Sequence, residues 1–285
     1  MKNKYRMNLI LTPLAVIALA SGVANAGMTE TMTTAAVTPA PSEDVISGIL
    51  KLDFNTHFMS YGADVWSDGS SMSDPTFNPN LELYFALPAD ITLTIGTWWD
   101  VNSKPGSGSS PLGGRIQEVD VYAGLGYTID KFTVGLTYQA WMYASDTEDI
   151  LDLKFSYDTL LAPSLTIHHR LDQGAAAGDE GTILVLGLSH SIEAGPVTIS
   201  FPFNLGYFLT DDFHNFPVNG GSDTGFGYLS IGATTSLSLT PYISDCYGDW
   251  ALNGGLTYFI TEEDIIPNNP QSSFLTASLG LSVAF

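Results

Sequence analysis

Charge is scarce in this sequence, and positive charge scarcest of all. Only 14% of the 285 residues are charged, with nine Lys and Arg against 30 Asp and Glu and a net charge of −21. Soluble domains carry about 25% charged residues. A chain this acidic offers no basic surface to a phosphate backbone, which argues against nucleic acid as a partner. It has no polybasic patch for anionic headgroups either, and its field concentrates cations. Cysteine is nearly absent: Cys246 stands alone, so no internal disulfide staples the fold. With no base beside it in sequence, Cys246 reads as a turn or structural residue rather than a nucleophile. After residue 26 no apolar run reaches the ~20 residues a membrane helix needs, although 45% of the chain is hydrophobic and 28 residues are Gly.

The first segment present is a leader. Lys2, Lys4 and Arg6 precede the apolar stretch "LILTPLAVIALA", and Ala24–Ala26 reads "ANA". This is the charged, apolar and small-residue order of a signal peptide, so cleavage after residue 26 and use of the secretion machinery are expected. Loss of three bases takes the nine Lys and Arg to six against 30 acids, and the net charge from −21 to −24. Residues 27–46 are rich in Thr, Ala and Pro without periodicity and read as a flexible periplasmic segment.

From there to the end the pattern has period two. Twelve alternating segments run roughly over 47–59, 78–87, 90–101, 115–128, 131–143, 148–158, 164–172, 181–191, 196–208, 225–238, 249–260 and 272–285. Most have ~9–13 residues, the length of a tilted strand crossing a bilayer, against ~5–6 in ordinary globular sheets. Odd-numbered connections are long, as in "NSKPGSGSSPLGG", and even-numbered ones short, as in "PAD" and "EAGP", except for the short fifth, around "ASDTED", and the medium tenth, "TPYISDCYG". The expected fold is all-β: a transmembrane antiparallel up-and-down barrel of about 12 strands over 47–285, with short periplasmic turns and long extracellular loops. Its place is the outer membrane of a Gram-negative bacterium, among outer-membrane lipid and lipopolysaccharide. A last strand of a soluble β-domain is the plainer alternative for "LTASLGLSVAF". In the barrel reading, Leu279, Leu281, Val283 and Phe285 form the lipid face of the closing strand and an assembly signal for the outer-membrane insertion machinery.

Parity then divides each strand into two faces. Lipid favours the apolar face outside, since a charge at mid-bilayer costs ~2–4 kcal/mol. The opposite face places Lys51, Asp53, Glu82, Asp100, Glu118, Asp120, Gln139, Trp141, Asp152, Lys154, His168 and Arg170 inside, with Asp172 continuing the series. Two readings stand. The inner charges form a paired network filling the barrel, or they line a cation-preferring constriction that passes small solutes. Twelve strands lie between the filled 8-stranded and the open 16-stranded barrels, which predicts a narrow channel partly obstructed by loops. Trp98, Trp99, Trp141, Trp250, Tyr143, Tyr207 and Tyr258 fall near strand ends, where interfacial girdles are expected.

An enzyme is the rival class. Its lure is His168–His169, but strand neighbours face opposite sides and cannot share one metal. No nucleophile motif such as G-x-S-x-G is present, so no catalytic residue, metal or cofactor is expected. A structural or adhesion barrel displaying its long loops is a further alternative. Acids Asp211, Asp212, Glu262, Glu263 and Asp264 read as solvated loop charge, with divalent cations bridging lipopolysaccharide as a second possibility.

The stretch "IQEVDVYAGLGYTIDKFTVGLTYQAWMYASDTEDILDLKFSYD" (116–158) resembles the TorF family of Gram-negative porins. That family similarly has an acidic pair before an aromatic strand, a Gly-rich tight hairpin, a Tyr-rich strand and an acidic turn leading to "SYD". "SYGADVW" and "GTWWDVN" look like its first loop and third strand, so the resemblance covers the first half of the barrel. It implies an outer-membrane porin and adds no catalytic residues. The first loop departs from the family's S-D-Y-x-x-R-G form by having no Arg.

Overall fold

A computed structural model of the protein describes residues 46–66, 75–103, 114–143, 146–172, 180–214 and 222–285. The expected leader and all but the last residue of the expected periplasmic segment lie outside the described residues. Among the described residues fourteen strands follow in chain order: β1 (Ile46–Asn55), β2 (Met59–Ser60), β3 (Ala63–Asp64), β4 (Thr76–Leu87), β5 (Ile91–Val101), β6 (Ile116–Ile129), β7 (Phe132–Tyr143), β8 (Asp146–Tyr157), β9 (Ser164–Arg170), β10 (Gly181–Ala194), β11 (Val197–Phe208), β12 (Gly225–Ser238), β13 (Asp249–Thr261) and β14 (Ser273–Ala284). All but β2 and β3 form one closed antiparallel barrel of twelve strands, each paired with its sequence neighbours.

Closure joins β1 to β14 from Ile49 opposite Ala284 to Asn55 opposite Ser278. Beyond it, Gly48 and Phe285 exchange both backbone hydrogen bonds, at 2.8 and 3.0 Å. A Cβ at Gly48 would overlap the Phe285 ring. The C-terminal residue is thus the last rung of the seam, which leaves no unpaired edge there.

Alternation settles the faces. Phe54, Ile95, Val121, Leu125, Leu136, Leu186, Phe201, Ile231, Leu256 and Leu279 all point outward and are exposed, an apolar band around the circumference. Monomeric soluble proteins rarely expose a contiguous apolar patch beyond a few hundred Å². Among the described residues no helix is long and apolar enough to cross a membrane. Tight turns use left-handed residues where the strands' twist requires them: Ala89 and Asp90 at φ 64° and 56°, Asp130 at 53° and Gly195 at 64°.

Two strand ends and one face assignment depart from the expected reading. β1 stops at Asn55, not residue 59. There the Thr56 amide donates to the Ala277 carbonyl at 2.9 Å and its hydroxyl accepts from the Ala277 amide at 2.9 Å, after which the chain leaves the wall. β9 stops at Arg170, so Asp172 is exposed beyond the strand instead of facing inward. Trp98 and Trp141 belong to no interfacial girdle; their parity points them into the barrel, where both are buried.

Candidate functional site

The barrel interior has two parts. At the long-loop end it is filled. β2 and β3 pair as a two-residue hairpin, Met59 with Asp64 and Ser60 with Ala63. Tyr61 and Gly62 turn it with φ of 45° and 80°, the left-handed pair that a type I′ turn demands. Gly62 is required twice, since a Cβ there would also overlap the Tyr228 ring. The hairpin carries Met59, Tyr61 and Ala63 into one buried cluster with Trp141, Ile150, Ile183, Phe208, Tyr228, Phe259 and Phe274 from the wall and with Phe213, Ile265 and Ile266 from two other loops. Burying each such side chain is worth about 1.5–3 kcal/mol over exposure.

Polar bonds lock these loops to one another. Asn269 donates to the Gly62 carbonyl at 2.8 Å and accepts from the Asp64 amide at 2.7 Å. Asn268 donates to the His214 carbonyl at 3.0 Å. His214 Nε2 lies 3.2 Å from the Tyr61 carbonyl oxygen, as its donor.

The expected inner residues come together on the wall around this plug. Asp152 accepts from Gln139 Nε2 at 2.6 Å and meets His168 Nδ1 at 2.6 Å, and Trp141 Nε1 donates to Gln139 at 3.3 Å. The Tyr61 hydroxyl reaches the same His168 nitrogen at 2.7 Å, and the two rings lie 4.0 Å apart. Arg170 Nε donates to Glu148 at 3.1 Å, Nη1 donates to the Phe213 carbonyl at 2.9 Å, and the guanidinium sits 4.0 Å over the Phe213 ring. Tyr143 also donates to Glu148. Asp100 accepts from Trp66 Nε1 at 2.9 Å and Asn102 Nδ2 at 2.7 Å. Glu118 and Asp120 are fully inward and buried, within electrostatic reach of Asp100 and Glu148. Glu82 accepts from Tyr122 at 2.9 Å and from Tyr84.

Lys51, Asp53 and Lys154 are only half-buried. Toward the short-turn end the interior is lined by small polar groups open to solvent in part. Thr128 pairs with Thr133 at 3.0 Å, Ser191 with Ser200 at 2.8 Å and Asn253 with Ser282 at 2.9 Å. His169 faces away from His168 and meets Thr182 at 2.9 Å. Cys246 is exposed in a 3₁₀ turn at Asp245–Tyr247, 3.2 Å from the Ser244 hydroxyl.

Burial pushes the His214 imidazole down to about 3, helped by the positive charge of Arg170, while the bond to Tyr61 opposes the shift. Among the described residues no cluster of three or more His, Cys, Asp or Glu is arranged to hold a metal. Reading by parity missed Glu148, which shares its face with Asp152 and Lys154 and was legible by that rule. It also missed Tyr61, Phe213 and His214, which belong to loops. Their signal was composition: "HFMSYGADVW" and "DDFHNF" are too aromatic for solvated loops.

No family model matches the chain, and no curated protein matches it. Among solved structures, a KdgM porin aligns over 83% of this chain and 99% of its own at 10% identity, with a TM-score of 0.46. A NanC porin aligns over 82% and 98% at 10% identity, also with a TM-score of 0.46. The translocator domain of autotransporter NalP from Neisseria meningitidis aligns over 86% and 89% at 9% identity, with a TM-score of 0.42. These likenesses do not support the TorF family in particular.

Proposed function

We propose that the chain is an outer-membrane barrel that passes small solutes, with a preference for cations. The carrying observation is the combination of an apolar band around a closed barrel with an inner wall rich in acids: Glu82, Asp100, Glu118, Asp120, Glu148 and Asp152 all face inward on β4 to β8. Lipid supplies no hydrogen bonds to a backbone, so only a closed ladder crosses it by strands, and inward carboxylates attract cations. The filled mouth means that passage requires the loop plug to move. That same packing favours a second reading, a non-conducting barrel that displays its long loops to the outside.

Single-channel conductance of the refolded barrel under a salt gradient separates the two. A pore gives steady open levels with a cation-selective reversal potential, and Glu118→Gln with Asp120→Asn weakens that selectivity. Folded barrels that never conduct, at neutral or acid pH, would leave the display reading standing.

A further inference from the structure

We infer that the three-loop plug is an acid-released gate, with His214 as its trigger. The inference rests on the channel reading but is tested apart from it. His214 sits where the loops meet. Its Nε2 donates to the backbone of Tyr61 at the hairpin tip, its own carbonyl accepts from Asn268 of a third loop, and its ring lies 5.4 Å from Phe208 and 5.3 Å from Phe213. A second proton would have to sit on Nδ1, among aromatic rings.

The charged groups that face it work against that proton. Arg170 from β9 opposes it most, and His168 from the same strand adds to the effect. The acids behind them are already engaged: Glu148 by Arg170 and Tyr143, Asp152 by His168 and Gln139. From the hairpin come the Tyr61 hydroxyl, turned to His168, and buried Asp64, whose amide donates to Asn269. On the other two loops Asp212 accepts from the Ser222 amide, and Asp211, Glu262, Glu263 and Asp264 are exposed. Docked, His214 therefore stays neutral to about pH 3. Released into water it takes a proton near pH 6.5. The released state binds more protons between those limits, so docking is at full strength above about pH 6.5. It weakens roughly tenfold per pH unit as pH falls, levelling near 3.

Cysteine labelling reads this without relying on conduction. Ala63→Cys places a thiol in the buried hairpin, while native Cys246 is exposed at the opposite end. The ratio of maleimide labelling at 63 to that at 246 cancels the thiol's own pH dependence. In the refolded full barrel this ratio should rise roughly a hundredfold from pH 7.5 to 4.5. In His214→Gln, which keeps a donor for Tyr61, it should stay within about threefold. If Gln undocks the plug at every pH, His214→Phe keeps the ring packing and serves as the non-titrating variant. A constant ratio in the chain with His214, or an unchanged rise in both variants, overturns the gate. Conductance recorded in parallel keeps the two readings distinct: a labelling rise with no current sinks the channel and leaves the gate, whereas current that grows on acidification at constant labelling sinks the gate.

Discussion

The two ends of the barrel interior are made from the same alternating strands but filled by different means. At the long-loop end the wall presents Trp98, Trp141, Ile150, Ile183, Tyr228 and Phe259, and the loops return to cover them. At the short-turn end the same inward parity presents Thr92, Thr128, Thr133, Ser156 and Ser191, which water reaches. The strand pattern decides only which side chains face in. What fills the space between them depends on whether a loop long enough to fold back is attached. Even-numbered connections such as Leu87 to Ile91 have no residues to spare, whereas the chain from Asn55 to Thr76 can place a hairpin inside. A charge in the filled half must therefore find a protein partner, and one in the open half need not.

The largest contrast should come from the ion pairs. Glu148→Gln leaves the buried Arg170 guanidinium without its carboxylate. Breaking a buried pair on one side costs about 3–5 kcal/mol. Lys51→Met removes a half-exposed charge from the wall and should cost less than about 1 kcal/mol. Denaturant unfolding of the two refolded variants measures both. Equal losses would mean that the inner charges do not differ in hydration.

Inward glycines sharpen the comparison at the level of packing. A Cβ at Gly206 would overlap the Tyr228 ring, which is part of the plug's seat, whereas one at Gly126 meets only the Thr92 carbonyl oxygen at 3.9 Å. Gly206→Ala should therefore cost about 1–3 kcal/mol by overpacking, and Gly126→Ala should stay within about 0.5 kcal/mol. Both residues lie on strands with inward parity, so no propensity argument separates them. Only the presence of a neighbour does.

This difference also marks how far the sequence could be read. Strand number, face assignment and the placing of Asp152, His168 and Arg170 on one inner face followed from period two, because a pleated strand repeats every two residues whatever surrounds it, and closure followed from strand length and the alternation of long and short connections. Glu148 was reachable by the same rule. Tyr61, Phe213 and His214 were not, because a loop has no period. Their positions depend on contacts with residues such as His168, 107 positions from Tyr61, and Arg170, 43 positions from Phe213. Trp98 was misread as a girdle residue for a related reason, and Trp141, placed on the inner face by parity, was also counted with the girdle. A tryptophan near a strand end fits a bilayer interface or a plug equally well by sequence, and only the loop folded over it decides.

The smallest predicted effect tests the open half directly. Ser191 and Ser200 share a 2.8 Å hydrogen bond between hydroxyls on β10 and β11; Ser191 is exposed and Ser200 is buried behind it. If the short-turn end is wet, the water that reaches Ser191 takes the place of its hydroxyl on Ser200 in Ser191→Ala, and an exchange of one partner for another costs about 0.5 kcal/mol or less. In a dry interior the same substitution would orphan a buried hydroxyl, at about 1–3 kcal/mol. The two outcomes differ by more than unfolding measurements blur. A loss above about 1.5 kcal/mol would place Ser191 in a packed interior. It would extend the filling of the barrel to both ends and leave no vestibule for a solute to enter once the plug is released.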